Sequence, residues 1–255
     1  MFTILKIGMN KLTKENIESL READGILSDS DETLNNKTAY ASFNLIEKCR
    51  KSKDYKNFLR GIYGGVYVYL GTHFKKLLKD ETEAENWGLK KLHNFLATSK
   101  IPKNTIQEVT LDYLRNNEIQ GAKDSLKTLR NFGKNKKFLI VTRNASLFAE
   151  PVREYFEADD YVANKTIFRG EFVDDVQISM KTPEERLKLT EEKTKKQGLD
   201  LKDCIFIGDS KPDLIFKPYV KIFMSSPKAN NKVRICADVN IDNYRDFEKQ
   251  LINSY

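Results

Sequence analysis

Three short stretches of this chain are almost continuously apolar, and each runs into a polar residue of distinct chemistry. "GILS" (25–28) is followed by Asp29, "FLIV" (138–141) by Thr142, and "CIFIG" (204–208) by Asp209. Apolar runs of this length without alternation are strands buried on both faces, the pattern of a parallel sheet sandwiched between helices. The intervening segments supply those helices. "GAKDSLKTLRNFG" precedes the second strand, "LFAEPVREYF" follows it, and "TPEERLKLTEEKTKKQG" leads to the third. In the last of these Pro183 falls near N1, where its missing N–H is not needed. "TIFRGEFV" reads as a hairpin, "VKIFMSS" and "VRICADV" as further strands, and "YRDFEKQLINS" as a closing helix. The predicted fold is α/β, a Rossmann-like parallel sheet with helices on both faces. Ligands of such sheets bind at the carboxyl ends of the strands. Asp29, Thr142 and Asp209 are therefore expected to converge on one edge.

The pattern divides into a core of 1–35 and 121–255, interrupted by a block over 36–120 that reads as helical throughout. Within the block, "TAYASFNLIEKCRK", "GGVYVYLGTHFKKLLK", "ETEAENWGLKKLHNFLATS" and "NTIQEVTLDYLRNN" place apolar residues at three- and four-residue spacing. Its histidines, His73 and His93, stand away from any thiol or carboxylate motif and do not suggest a metal site. Residues 1–20 form an N-terminal extension containing a possible strand, "FTILKIG", and a helix that starts at the N-cap Thr13.

Composition narrows the class. In 255 residues with 40% hydrophobic and 32% charged side chains, no apolar run approaches the roughly 20 residues a membrane span requires. The N-terminus shows no small-residue cleavage pattern, so no signal peptide is read. Three widely spaced cysteines, Cys49, Cys204 and Cys236, suggest a reducing compartment and neither a disulfide framework nor a zinc site. A cytoplasmic protein is expected. The formal charge, 44 − 37 = +7, favours anionic partners, either nucleic acid or small phosphorylated molecules. The densest basic run, 47–60, reads as a solvated helix face.

Carboxylates gathered at one sheet edge repel unless a cation neutralises them, and an all-oxygen, partly open site suits Mg²⁺. A calcium loop beginning at Asp29 is excluded, because Leu34 and Tyr40 occupy the positions that would need Gly and Glu. "DSDET" (29–33), "FLIVTRN" (138–144) and "IGDSKPD" (207–213) resemble, in order, the first, second and fourth motifs of the haloacid dehalogenase-like (HAD) hydrolase superfamily. Lys181 in "MKTPEER" is the best match to the third-motif lysine, with Lys188 as the alternative. The helical insert is similar to the C1 cap of the phosphoserine phosphatase-like branch.

The resemblance implies a Mg²⁺-dependent phosphatase that hydrolyses a small phosphomonoester through an aspartyl-phosphate. Asp29 would be the nucleophile and Asp31 the general acid and base; dehalogenase members lack the second aspartate. Thr142 would hydrogen-bond the transferring phosphoryl group and Lys181 would balance its charge. Asp29, the backbone carbonyl of Asp31, Asp209 and Asp213 would hold the metal. Ser30 and Glu32 would be loop residues whose backbone amides face the phosphate. The expected partner is a small phosphorylated substrate, with no membrane and with nucleic acid disfavoured. Glu47, Arg50 and Arg60 are candidate substrate contacts in the cap, although each also reads as a surface charge. The alternative is a non-catalytic protein on the same fold, binding a phosphorylated or nucleic-acid partner through its basic surface.

Overall fold

In a computed structural model, which describes residues 12–35, 44 and 81–255, the three apolar runs are the central strands of a seven-stranded sheet. The strands are β1 (Gly25–Ser28), β2 (Lys137–Ala145), β3 (Asp160–Arg169), β4 (Phe172–Gln177), β5 (Cys204–Gly208), β6 (Ile222–Ser225) and β7 (Val239–Asn240), in the order β4-β3-β2-β1-β5-β6-β7. All pairings are parallel except β3 with β4. That pair is the expected hairpin. Its two-residue loop begins at Gly170, whose φ of 64° suits the first position of a type II′ turn. The register sets Ser28 beside Ile140 on β2 and Ile207 on β5, so the residues that follow these strands share one edge.

Both faces of the sheet are covered, as continuously apolar strands require. Ile26, Phe138, Ile140, Ile205 and Met224 pack on one side with Leu20, Leu126, Phe132 and Phe247. These come from α1 (Lys14–Glu22), the helix Ala122–Asn131 with its C-cap Phe132, and the C-terminal helix Tyr244–Ile252. On the other side Leu27, Leu139, Val141, Phe206 and Phe223 meet Met180, Phe216 and Val233. Each fully buried Leu, Ile or Phe contributes about 1.5–3 kcal/mol by leaving water. Neighbouring strands thus share both layers.

The last two helices predicted in the insert are present as α2 (Glu81–Ser99) and α3 (Lys103–Asn117). Leu92 and Leu96 of α2 and Ile106 and Val109 of α3 form one apolar cluster with Leu147, Phe148 and Val173. The cluster reaches the helix after β2, which runs Ser146–Tyr155, and β4. His93 is buried in α2, bonded to the Leu89 carbonyl and to Thr166 Oγ1. The predicted strand "FTILKIG", the two earlier insert helices, and Glu47, Arg50 and Arg60 lie outside the described residues.

One element differs from expectation. "VRICADV" is not a strand: residues Asn231–Cys236 are a short helix, and only Val239–Asn240 pair with β6. Asn230 caps that helix through a bond from the Val233 N–H to its side chain. Val233 is buried while Ile235 is 84% exposed, so the segment has one apolar face where an interior strand needs two. Among the described residues, no helix is long and apolar enough to cross a membrane.

Candidate active site

The carboxyl ends of β1, β2 and β5 converge as the sequence predicts. The Asp29 N–H donates to the Ile207 carbonyl (2.9 Å), extending the ladder one residue beyond β1 and fixing Asp29 next to β5. The chain then turns sharply. The Ser30 carbonyl accepts from the Leu34 N–H (2.9 Å) and from Asn35 Nδ2 (3.3 Å), while Glu32 takes a φ of 61°, a conformation L residues seldom adopt. Two hydroxyls hold this turn from behind: Ser226 Oγ donates to the Glu32 carbonyl and Tyr244 Oη to that of Thr33. The Glu32 N–H donates to the Asn35 carbonyl (2.7 Å). It is committed within the loop and is not presented to a phosphate, contrary to the sequence expectation. Thr33 is likewise internal, donating through Oγ1 to Asp209 Oδ1 at 2.9 Å.

Asp213 is fully buried, yet its charge is well provided for. Its Oδ2 accepts from the Asp209 N–H (3.1 Å), the Ser210 N–H (2.9 Å) and Ser210 Oγ (2.8 Å). This close approach requires glycine at 208, since a Cβ there would lie 2.7–2.8 Å from Asp213 side-chain atoms. Gly208→Ala is expected to lower stability by about 1–3 kcal/mol through forced displacement of a packed side chain. Urea denaturation would read this as a reduced midpoint, and an unchanged midpoint would contradict the contact.

The cation of the site is Arg186. It stands in the first turns of the helix Pro183–Lys196, which starts with Thr182 and Glu185 in a reciprocal capping box. Its side chain is 1% exposed. Nη1 donates to Asp213 Oδ1 (2.6 Å), while Nη2 donates to Asp29 Oδ1 (2.8 Å) and the Val141 carbonyl (2.7 Å). The guanidinium also lies 5.5 Å from the Phe216 ring centroid. Burial opposes its charge, but Asp213 and Asp29 outweigh that and hold its pKa above the ordinary range. Lys181 is instead exposed, and its backbone N–H donates to Glu185 Oε2. Lys188 is exposed as well. The structure brings neither lysine to the carboxylates.

The reason the sequence did not disclose Arg186 is physical. The inward stripe of its helix is Arg186, Thr190 and Thr194, which is polar and leaves no apolar periodicity to follow. Thr142 is buried in β2 just past its regular pairing with β3, and its Oγ1 accepts from the Asn144 N–H (3.2 Å). Asn144 was not anticipated either; its Nδ2 donates to Asp31 Oδ2 at 2.9 Å.

Ligand atoms of Asp29, Asp209 and Asp213 all lie within 4.8 Å of one another. Burial, followed by the Asp213 charge, pushes the Asp209 carboxyl up to about 8. The same causes in the same order hold Asp29 well above the carboxylate range, against the pull of Arg186. Three carboxylates against one guanidinium leave two negative charges uncompensated when all are ionised. A divalent cation with oxygen ligands restores the balance, so the donor set fits Mg²⁺.

No curated protein matches the sequence. Among solved structures, a substrate-bound phosphoserine phosphatase complex aligns with a TM-score of 0.61 at 19% identity, over 89% of this chain and 97% of that one. A phospho-aspartyl intermediate analogue of phosphoserine phosphatase gives 0.59 at 18% identity, over 89% and 98%. A HAD family hydrolase from Salmonella enterica subsp. enterica serovar Typhi gives 0.63 at 16% identity, over 91% and 77%. At these identities the likeness is one of fold. The family model described as haloacid dehalogenase-like hydrolase matches residues 26–216, well over half of the sequence and including the converging ends of β1, β2 and β5, and the chain belongs to that family.

Proposed function

We propose that this hydrolase is a Mg²⁺-dependent phosphatase acting on a small phosphomonoester through an aspartyl-phosphate on Asp29. The observation that carries the reading is the position of Asp29 at the sheet edge, with Oδ1 held by Arg186 and a second aspartate two residues on. In this reading Asp29 attacks phosphorus, the ester oxygen departs with a proton from Asp31, and Asp29 becomes phosphorylated. Asp31, now a carboxylate, takes a proton from water as that water attacks the phosphorus, and Asp29 is released. Thr142 Oγ1 already accepts one hydrogen bond, which leaves its hydrogen to donate to a phosphoryl oxygen. Arg186 offsets the charge of Asp29 before and after transfer.

Asp29, Asp209, Asp213 and the backbone carbonyl of Asp31 would hold Mg²⁺, whose contribution is to neutralise charge on the phosphoryl oxygens. We further read 36–120 as a cap over this edge and Cys204 and Cys236, both free, as thiols of a reducing, cytoplasmic setting. The binding-scaffold alternative rests on a basic surface whose densest run, 47–60, lies outside the described residues.

The test is steady-state hydrolysis of p-nitrophenyl phosphate. Turnover is expected with Mg²⁺, with a loss on the order of 100-fold or more when a chelator removes the ion. Absence of Mg²⁺-dependent turnover on this ester and on a broad phosphoester panel would overturn the proposal.

A further inference from the structure

The carboxyl-terminal stretch of β2 contains a device that neither motif resemblance nor charge pattern disclosed. Across the β2–β3 ladder, Val141 pairs with Val162 and Ala145 with Asn164, so two steps on β3 face four on β2. The surplus bulges residues 142–144 out of the ladder at the sheet edge, the usual way a strand end re-aims its side chains. Asn164, fully buried, fixes the bulge: its Nδ2 donates to the Arg143 carbonyl (2.6 Å), and its Oδ1 accepts from the Ser179 and Met180 N–H groups. From this fixed backbone Asn144 makes two contacts into the site. Its N–H donates to Thr142 Oγ1 (3.2 Å), and its side-chain Nδ2 donates to Asp31 Oδ2 (2.9 Å).

We propose that Asn144 is the positioning residue for the acid/base carboxyl of Asp31, an inference that rests on the phosphatase reading above. An amide NH₂ can only donate, so it marks Oδ2 as the accepting oxygen whether Asp31 is protonated or not. Oδ1 is then the oxygen that gives its proton to the departing ester oxygen as the P–O bond breaks. The same oxygen takes a proton from water in the second half-reaction. A neutral donor achieves this orientation without adding charge beside a carboxyl that must cycle between two states. The backbone bond to Thr142 couples the same residue to the phosphoryl-facing hydroxyl, so acid and phosphoryl contact are set by one bulge.

The distinguishing consequence concerns the leaving group. A phenolate as stable as p-nitrophenolate departs with little proton assistance, whereas an alkoxide needs the proton. kcat/KM is measured with Mg²⁺ for p-nitrophenyl phosphate, phenyl phosphate and a simple alkyl phosphate. In Asn144→Leu, which keeps the side-chain branching but lacks the donor, losses of about threefold with the first and about 30-fold with the last are expected. In an Asp31→Asn background the added Asn144→Leu change is expected to cost less than about twofold, because the group it positions is gone. Should the leucine variant fail to fold by thermal melting, Asn144→Ala, which removes the donor without adding charge, replaces it and is expected to show the same steepened dependence. A uniform loss across the three esters, or full additivity with Asp31→Asn, would overturn the inference while leaving the phosphatase reading intact. A wild-type protein inert towards all three would overturn the reading itself, and this inference with it.

Discussion

Asp29→Asn is expected to abolish turnover, by on the order of 10⁴-fold or more, while the protein stays folded. Asparagine keeps the shape and an oxygen that can accept from Arg186 Nη2, but it cannot form the aspartyl-phosphate. The stability side has a definite sign. Burial and then the Asp213 charge raise the folded-state pKa of Asp29 well above its ordinary value. A carboxyl raised in this way binds more protons folded than unfolded, so its ionisation opposes folding as pH rises above the ordinary carboxylate range. Removing the charge is therefore expected to leave the metal-free protein as stable as the wild type, or slightly more stable, at neutral pH. Kinetics paired with thermal melting checks both halves. An inactive but markedly destabilised Asp29→Asn protein would point to a structural role for Asp29 instead.

Arg186→Leu is expected to produce the largest loss of stability. The guanidinium bridges two carboxylates, one of them fully buried, and satisfies the Val141 carbonyl where a central strand begins to bulge. Removing one partner of a buried ionic group strands the others, at a cost of about 3–5 kcal/mol. Arg186→Lys keeps the charge but replaces a planar fork with a single ammonium, which cannot reproduce the three bonds. An intermediate loss of about 1–3 kcal/mol is expected, with impaired turnover. Lys181→Ala provides the contrast. With its side chain exposed, it is expected to shift stability by no more than about 0.5 kcal/mol and to leave turnover near wild type. Equal effects at 181 and 186 in denaturation and activity measurements would contradict the assignment of the cation to Arg186.

The parts of the molecule that were legible in the sequence are those governed by burial on two faces or by local turn chemistry. The runs ending at Asp29, Thr142 and Asp209 could only be interior parallel strands, and the register duly brings their ends together. The stretch "TIFRGEFV" announced the hairpin. The parts that were not legible depend on contacts distant in the chain. Arg186 sits amid charged neighbours in a helix whose inward stripe is polar, and only folding shows that it spans from Asp29 to Asp213. A search for a lysine led to Lys181 and Lys188, both on the outside. Asn144 reaches Asp31 because of a bulge, and bulges leave no mark in hydropathy. "VRICADV" looked like a strand because apolar residues alternate there, yet an asparagine cap and an exposed Ile235 make it a helix at the sheet's edge.

The central claim is that Asp29 carries the phosphoryl group during turnover. Acid-quenching the wild-type enzyme during steady-state hydrolysis with Mg²⁺, followed by borohydride reduction, converts an acyl phosphate at an aspartate to homoserine. Peptide mass spectrometry is predicted to find homoserine at position 29, in wild type only and dependent on substrate. Undiminished turnover with Asp29 unmodified throughout, or homoserine formed at a different aspartate, would contradict the account.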